Sequence, residues 1–240
     1  MSEIILVGLV VFLSAFVQGF SGFAFSLILI PLLGLFFNFH DIVILNIIFS
    51  FILNLSVFIK IRKYAKIKEL AVLIVFAIIF TVVGARFIGI IDEKVLKLIL
   101  GILLVVSSVI NLLQIKIAIK EYKKYYPYVG GITGFLNGIS GISGPPLIIF
   151  FSNIKMDKLT YKATFNTIFL SLNVVAIVSY ALFGYIEVSL VKTSMFYGLF
   201  VVLGAYAGLG LSHKVKEHHF KLVVTYVILV MGFSMIVGEL

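Results

Sequence analysis

Long apolar stretches separated by short charged loops run through the whole 240-residue chain. The charged residues divide it into eight hydrophobic segments: Ile4–Phe39, Ile42–Ile59, Leu70–Ala85, Leu98–Ile115, Tyr125–Ile154, Ala163–Ile186, Thr193–Ser212 and Leu222–Gly238. Six of the segments suit one membrane crossing by an α-helix, which needs about 20 apolar residues. The pattern therefore predicts an all-α polytopic membrane protein.

The first and fifth segments differ from the other six in length. Ile4–Phe39 and Tyr125–Ile154 are too long for one straight helix across a core of about 30 Å, yet short for two full crossings with a turn. Each contains small and polar residues in its middle, and in a helix glycine is about 1 kcal/mol and proline about 3 kcal/mol less favourable than alanine. We expect each of these segments to be a broken helix or a re-entrant hairpin.

Composition agrees with this class of protein. The chain is 62% hydrophobic and 12% charged, with a mean hydropathy of +1.24, which excludes an ordinary soluble domain. We expect a multi-pass protein of the cell membrane, with the lipid bilayer as a partner and a homo-oligomer as a possibility. The net charge of +9 comes from lysines and arginines in the loops, as the positive-inside rule predicts, so we expect no nucleic-acid partner.

The basic residues also predict a topology. The loops around Lys60–Lys68 and Lys116–Lys124 fall on one side of the membrane, which we assign to the cytoplasm. If the fifth segment turns back, the loop with Lys155, Lys158 and Lys162 joins them, and the count is about 15 basic residues inside against 4 outside. A full crossing gives a nearly even split, so the count favours re-entrance.

The sequence around the two predicted breaks is repeated. Gln18-Gly-Phe-Ser-Gly-Phe-Ala matches Asn137-Gly-Ile-Ser-Gly-Ile-Ser at an offset of 119 residues, and Asn54 and Asn173 stand at the same offset. The matches predict two homologous halves, 1–115 and 127–240, joined by a cytoplasmic linker at 116–126. With one re-entrant segment and three crossings in each, the second half is inverted relative to the first, as in many secondary transporters.

A helix break inside a membrane indicates a binding site, because broken backbone is tolerated there only against protein or around a watery cavity. The helix that follows each break offers free N–H groups and a partial positive charge, and glycines allow close approach to the backbone. Serine hydroxyls and carboxamides add hydrogen-bond donors. The pattern predicts a substrate site for a small anion, formed by Gln18, Gly19, Ser21, Gly22, Asn54, Asn137, Gly138, Ser140, Gly141, Ser143, Gly144 and Asn173.

Helix packing is an alternative role for some of these residues. Gly130, Gly134 and Gly138 recur every four positions, as in closely packed membrane helices. Buried asparagines such as Asn54 and Asn173 also commonly hydrogen-bond a neighbouring helix.

Catalytic and metal-binding chemistry has little support in the sequence. There is no cysteine, and no Asp, Glu or His falls in the middle of a segment. We therefore expect no enzyme activity, no cofactor, no metal site and no conventional carboxylate proton relay.

Three stretches resemble one family: Gly19-Phe-Ser-Gly-Phe-Ala with Pro31-Leu-Leu, Gly138-Ile-Ser-Gly-Ile-Ser-Gly-Pro-Pro-Leu, and Lys162-Ala-Thr. Over nearly the whole chain they are similar to the sulfite exporter TauE/SafE family of membrane permeases. The resemblance implies a transporter with two homologous halves for sulfite, sulfoacetate or other small organosulfur anions. We expect a secondary transporter that exports such an anion by alternating access around the paired breaks. A permease for a neutral or cationic solute, or a non-transporting membrane scaffold, is the alternative.

Overall fold

The computed structural model describes residues 2–113, 121–151, 156–212 and 217–238. These residues form ten α-helices and contain no β-strand. The helices are α1 (Ser2–Ser21), α2 (Phe25–Leu33), α3 (Phe39–Ile61), α4 (Ala71–Phe87), α5 (Glu93–Leu112), α6 (Tyr126–Ser140), α7 (Gly144–Phe151), α8 (Lys158–Leu182), α9 (Val188–Leu211) and α10 (Glu217–Val237). The predicted all-α fold is confirmed for the described part of the chain.

Five helical stretches among the described residues are long and apolar enough to cross a membrane. They are Glu3–Ser21, Phe39–Tyr64, Lys68–Phe87, Leu159–Leu182 and Val188–Leu211. Large apolar side chains stand exposed on these helices, among them Ile5 on α1 and Met195 and Leu199 on α9. Wide apolar faces of this kind indicate contact with lipid. The chain is therefore a multi-pass membrane protein, as the sequence predicts.

Both long segments contain a break at the repeated sequence. In the first segment α1 ends at Ser21 and α2 begins at Phe25, and in the fifth α6 ends at Ser140 and α7 begins at Gly144. The predicted breaks are thus present. The re-entrant course of α2 and α7 and the inverted orientation of the two halves stay predictions.

The two breaks end the preceding helix in the same way. Gly22 and Gly141 have φ angles of 90° and 72°, in the left-handed region that glycine enters without steric cost. The serine before each glycine accepts a hydrogen bond from the backbone N–H two residues further on, at 3.3 Å for Ser21 and 3.2 Å for Ser140. The repeated Gly-x-Ser-Gly sequence therefore forms a repeated turn.

Glycine-lined seams join helices from different halves of the chain. α1 packs on α9, and α4 packs on α6. A Cβ atom added to any seam glycine would lie 2.0–2.3 Å from a backbone oxygen of the facing helix; these glycines are Gly19, Gly84, Gly130, Gly134, Gly138, Gly204 and Gly208. The helix backbones therefore touch, which larger residues would prevent. The packing role of Gly130, Gly134 and Gly138 is confirmed.

The contacts between helices keep the same pattern when the two halves of the chain are exchanged. Helices α1, α3, α4 and α5 of residues 1–115 occupy the same order as α6, α8, α9 and α10 of residues 127–240. Exchanging the two sets turns the α1–α9 pair into the α6–α4 pair and leaves the α3–α8 and α5–α10 pairs unchanged, and all four pairs are in contact. Each of these pairs takes one helix from each half, so the halves interlock.

The predicted linker at 116–126 lies partly outside the described residues, which resume at 121; its last part forms a 3₁₀ turn at Tyr122–Tyr125, before α6. The prediction that Lys162 belongs to a loop is wrong, because α8 begins at Lys158 and Lys162 is only 5% exposed. Backbone oxygens of α1 accept hydrogen bonds from its ammonium and replace lost water contacts.

Candidate functional site

Both helix breaks line one small buried cavity. Its walls are Gln18, Ala24, Phe25, Ser26, Leu27, Ser50, Asn54, Gly141, Ile142, Ser143, Gly144, Phe169 and Asn173. We call it the central cavity. Its volume is about 20 Å³, which is room for about one water molecule. A larger ligand therefore requires the walls to separate.

A second small cavity shares Gln18 with the central cavity. It is lined by Gln18, Gly19, Gly22, Leu53, Val57, Ile61, Lys162, Asn166 and Leu209, and its volume is about 10 Å³. We call it the lysine cavity. Gln18 contributes to both linings, so the two cavities are neighbours.

The structure distributes the twelve predicted site residues over three places. The central cavity is lined by Gln18, Asn54, Gly141, Ser143, Gly144 and Asn173. The lysine cavity is lined by Gly19 and Gly22, together with Gln18. Neither lining contains Ser21, Asn137, Gly138 or Ser140.

Three carboxamides form the partition between the cavities. Asn54 Oδ1 accepts hydrogen bonds from Gln18 Nε2 at 3.0 Å and from Asn166 Nδ2 at 2.9 Å. Gln18 Oε1 in turn accepts a bond from the backbone N–H of Phe25 at 3.1 Å. The partition, defined as Gln18, Asn54 and Asn166, therefore joins the first break to α3 and α8.

The corresponding residues of the second half do not meet in this way. Asn137 is one methylene shorter than Gln18, and its Nδ2 donates to the backbone oxygen of Leu172 at 3.3 Å instead. Asn173, the counterpart of Asn54, is 2% exposed, and its Nδ2 has no hydrogen-bond partner among the described residues. A buried unpaired N–H group is costly, so this one is a candidate donor to a ligand oxygen.

The hydroxyl groups of Ser21 and Ser140 are already used by the backbone. Ser21 donates to the oxygen of Val17 and Ser140 to that of Leu136, each at 2.7 Å. Because a hydroxyl has a single hydrogen, neither serine has one left for an anion in this conformation. Their role here is to shape the breaks, which differs from the predicted ligand contact.

Ser26 is a site residue that the sequence motif does not single out. Its hydroxyl donates to the backbone oxygen of Gly141 at 3.0 Å, so the start of α2 is bonded directly to the second break. Ser50 also reaches the central cavity, from α3.

The two helix starts differ as anion-binding elements. In α2 the lining residues Ser26 and Leu27 have N–H groups that precede the first complete helical turn, where they have no intrahelical acceptor. In α7 the second and third residues are Pro145 and Pro146, which have no N–H, so Gly144 is the remaining donor of the first three positions. The two helix starts, both expected to supply N–H groups, therefore differ in number of donors, and α2 supplies more.

Gly19 and Gly138 belong first to the packing seams. The oxygen of Gly138 accepts a hydrogen bond from the buried hydroxyl of Tyr180 at 2.7 Å. The oxygen of Gly19 accepts one from Lys162 Nζ at 3.2 Å.

Lys162 is the functional candidate that sequence reasoning misses. Its ammonium also bonds the oxygen of Phe20, so it caps the carbonyl end of α1, where the helix dipole is negative. A signal for it does exist. Lys162, Asn166 and Asn173 are spaced by four and seven residues, which places them on one face of an apolar helix. Asn46, Ser50 and Asn54 form a similar polar stripe on α3.

The electrostatics of both cavities favour an anion. Neither lining contains Asp or Glu, and the charged residue in the two linings is Lys162, which lines the lysine cavity. Within the described ranges, no group of three His, Cys, Asp or Glu side chains is placed to hold a metal ion. The arrangement supplies neutral N–H and O–H donors around one space and an ammonium beside the next.

Comparison with known proteins gives one match. A family model described as "Sulfite exporter TauE/SafE" matches residues 7–235. Neither a curated protein nor a solved structure matches the chain.

Proposed function

The chain belongs to the sulfite exporter TauE/SafE family, and from this membership we propose that it exports a small sulfur oxyanion or organosulfonate, of the sulfite or sulfoacetate type, across the cell membrane. The family is one of membrane transporters, in agreement with the multi-pass fold. One observation carries the choice of an anion: the two breaks meet at a small cavity that has buried hydrogen-bond donors and no carboxylate in its lining.

The donors suit a group with several acceptor oxygens. Asn173 Nδ2 is unpaired among the described residues, and neither of the bonds to Asn54 uses Asn54 Nδ2. Ser26 and Leu27 with their N–H groups and Ser143 with its hydroxyl belong to the same lining. Sulfite and sulfonates present three oxygens in a compact pyramid, so three or more of these donors can bind one ligand at once. Donors without formal charge hold an anion and still release it, which transport requires.

Alternating access then requires the partition to open. The central and lysine cavities together are smaller than a sulfur oxyanion, and the proposed closure between them is the Gln18–Asn54 hydrogen bond. We propose that ligand entry replaces this bond with bonds to ligand oxygens. Once the ligand has passed, the Gln18–Asn54 hydrogen bond forms again behind it.

The packing seams suggest which parts move. Because the α1–α9 and α4–α6 pairs are joined by backbone contact at glycines, each pair is expected to move as one body. The proposed motion is thus between these two mixed pairs rather than between residues 1–115 and 127–240. The exchange of helix pairs between the halves supports the inverted repeat.

The topology remains part of the proposal. We place the loop from Lys60 to Lys68 in the cytoplasm and treat α2 and α7 as re-entrant. Removing the buried Lys162 from the count leaves about 14 basic residues inside against 4 outside, which supports the same orientation.

The test is flux in liposomes that contain the purified protein. We expect efflux of radiolabelled sulfite above that of empty liposomes, with inhibition by sulfoacetate and no inhibition by neutral or cationic solutes of similar size. Sulfite should also raise the melting temperature of the protein, since a ligand that binds only the folded state stabilises it. Flux of neutral or cationic solutes alone would refute the anion assignment, and the absence of any solute-dependent flux or stabilisation would favour a scaffold.

A further inference from the structure

The two breaks, although built on one repeated turn, differ in charge. The backbone oxygens of Gly19 and Gly138 are equivalent by the offset of 119 residues. The first accepts a hydrogen bond from the ammonium of Lys162, and the second accepts one from the neutral hydroxyl of Tyr180. The position equivalent to Lys162 in the first half is Val43, a fully buried apolar residue. A positive charge therefore stands at one break without a counterpart at the other.

The surroundings of Lys162 strengthen its field. The lysine cavity has walls of Leu53, Val57, Ile61 and Leu209, and no Asp or Glu is part of its lining. In such apolar surroundings the potential of a charge is screened much less than in water. The polar groups in the same lining are the carboxamides of Gln18 and Asn166, which belong to the partition.

We propose that the lysine cavity is a second anion subsite, in which the Lys162 ammonium selects small oxyanions by charge. This inference rests on the proposed function, since it concerns the same passage. The central cavity recognises the shape of an oxyanion through neutral donors, and the lysine cavity favours the more highly charged one. In this proposal, a sulfite dianion that has passed the partition enters the lysine cavity and lies beside the Lys162 ammonium.

A purely structural role for Lys162 makes a different prediction. If Lys162 only caps α1, its replacement changes the affinity for all anions by the same factor, because the loss acts through the shape of the break. If it selects by charge, a divalent anion loses more affinity than a monovalent one. The ratio of the two affinities therefore separates the roles.

The experiment compares dissociation constants of sulfite and methanesulfonate for the purified protein, at a mildly alkaline pH where sulfite carries two charges. For Lys162→Gln we expect the preference for sulfite over methanesulfonate to fall about tenfold, the factor that corresponds to about 1.4 kcal/mol. Lys162→Arg, which keeps the charge, should keep the preference. Tyr180→Phe is the matched control, since it removes the bond to the equivalent backbone oxygen of the second break without a change in charge.

A second variant covers the case in which Lys162→Gln does not fold. Asn166→Asp places a carboxylate one helical turn from Lys162 in the same lining, which neutralises the ammonium and keeps its side chain. It should lower the sulfite preference in the same direction. An unchanged preference in either folded variant would overturn the subsite and leave the proposed function intact, whereas unsubstituted protein that binds neither anion would refute both.

Discussion

Gln18 Nε2 donates a hydrogen bond to Asn54 Oδ1 across 3.0 Å, and this contact joins the first break to α3. The equivalent pair in the second half, Asn137 and Asn173, makes no such bond, because the asparagine side chain is shorter by one methylene. One half thus has a closed amide pair, and the other has a donor on Asn173 that is unpaired among the described residues. Substitutions at Asn54 and Asn173 should therefore have different effects on binding and stability.

Replacement of Asn54 by aspartate tests the anion site by charge. The carboxylate can still accept the bonds from Gln18 and Asn166, so the partition should persist. The new negative charge and the loss of the Nδ2 donor should weaken sulfite binding at least tenfold, or about 1.4 kcal/mol. Calorimetric titration with sulfite measures this. Asn38→Asp, the same change at an exposed position before α3, is the control and should bind sulfite as the unsubstituted protein does.

Replacement of Asn173 by leucine should separate stability from binding. Leucine has nearly the same shape and removes a buried N–H group that has no partner in the described structure, so the free energy of unfolding should rise by about 1 kcal/mol. Sulfite binding should weaken, since a ligand donor is lost. Thermal unfolding in detergent with and without sulfite gives both quantities.

The matched variant for this experiment is Asn137→Leu. Asn137 is equally buried, but its Nδ2 is bonded to the oxygen of Leu172 and only its Oδ1 is unpaired among the described residues, so the lost hydrogen bond offsets the gain and Asn137→Leu should stabilise the protein less than Asn173→Leu. A lower melting temperature for Asn173→Leu would contradict the unpaired state of its donor.

Two neighbouring glycines on α6 test the seam with α4. A Cβ at Gly134 would lie 2.0 Å from the oxygen of Ala77, so Gly134→Ala must push the helices apart and should cost about 2 kcal/mol or more. A Cβ at Gly131 would meet only the ring of Phe80, at 3.5 Å, which is ordinary contact. Gly131→Ala should therefore stabilise α6 by about 0.5–1 kcal/mol. Melting temperatures of the two variants test this difference. Equal changes in melting temperature would contradict close backbone contact at Gly134.

Asp157 should give α8 a pH dependence in the acid range. Hydrogen bonds from Thr160, through its hydroxyl and its backbone N–H, and from the N–H of Leu159 hold the pKa of the Asp157 carboxyl below its usual value. A lowered folded-state pKa means that this stabilisation is present above the unfolded-state pKa of about 3.9 and is lost as the pH falls through the folded-state value. Melting temperatures measured from neutral pH downward should show the loss.

The variant Asp157→Asn isolates this acid effect. Its carboxamide oxygen can accept the same backbone bonds and does not ionise. The difference in melting temperature between the unsubstituted protein and this variant should be constant near neutral pH and change only in acid. A difference that varies between about pH 6 and 8 would point to other groups, such as histidine, that titrate there.

Much of the fold could be predicted from the sequence, because it depends on local patterns. Apolar segment length sets the helices, and the Gly-x-Ser-Gly repeat sets where α1 and α6 end. The four-residue spacing of Gly130, Gly134 and Gly138 shows their packing before the partner helix is known. The positions of Asn54 and Asn173 at the central cavity also follow from the repeat.

The parts that could not be predicted depend on contacts between distant residues. The sequence places Lys162 in a loop because its compensating partners, the oxygens of Gly19 and Phe20, lie in the other half of the chain. Ser21 and Ser140 resemble ligand donors because sequence does not show that their hydroxyls bond their own helices. The difference between Gln18 and Asn137 looks conservative in the sequence. In the structure, the longer Gln18 side chain bonds Asn54, whereas the shorter Asn137 side chain does not bond Asn173.

The glycine seams also bear on how the protein is made. α1 is synthesised well before α9, yet the backbone that α1 must touch belongs to α9. Until then the glycine face of α1 has no partner helix, so a chain released after the linker is an unfinished product rather than a smaller working one. Assembly of the permease therefore ends in a late closing step, and a long nascent intermediate in the membrane is exposed to proteolysis before it.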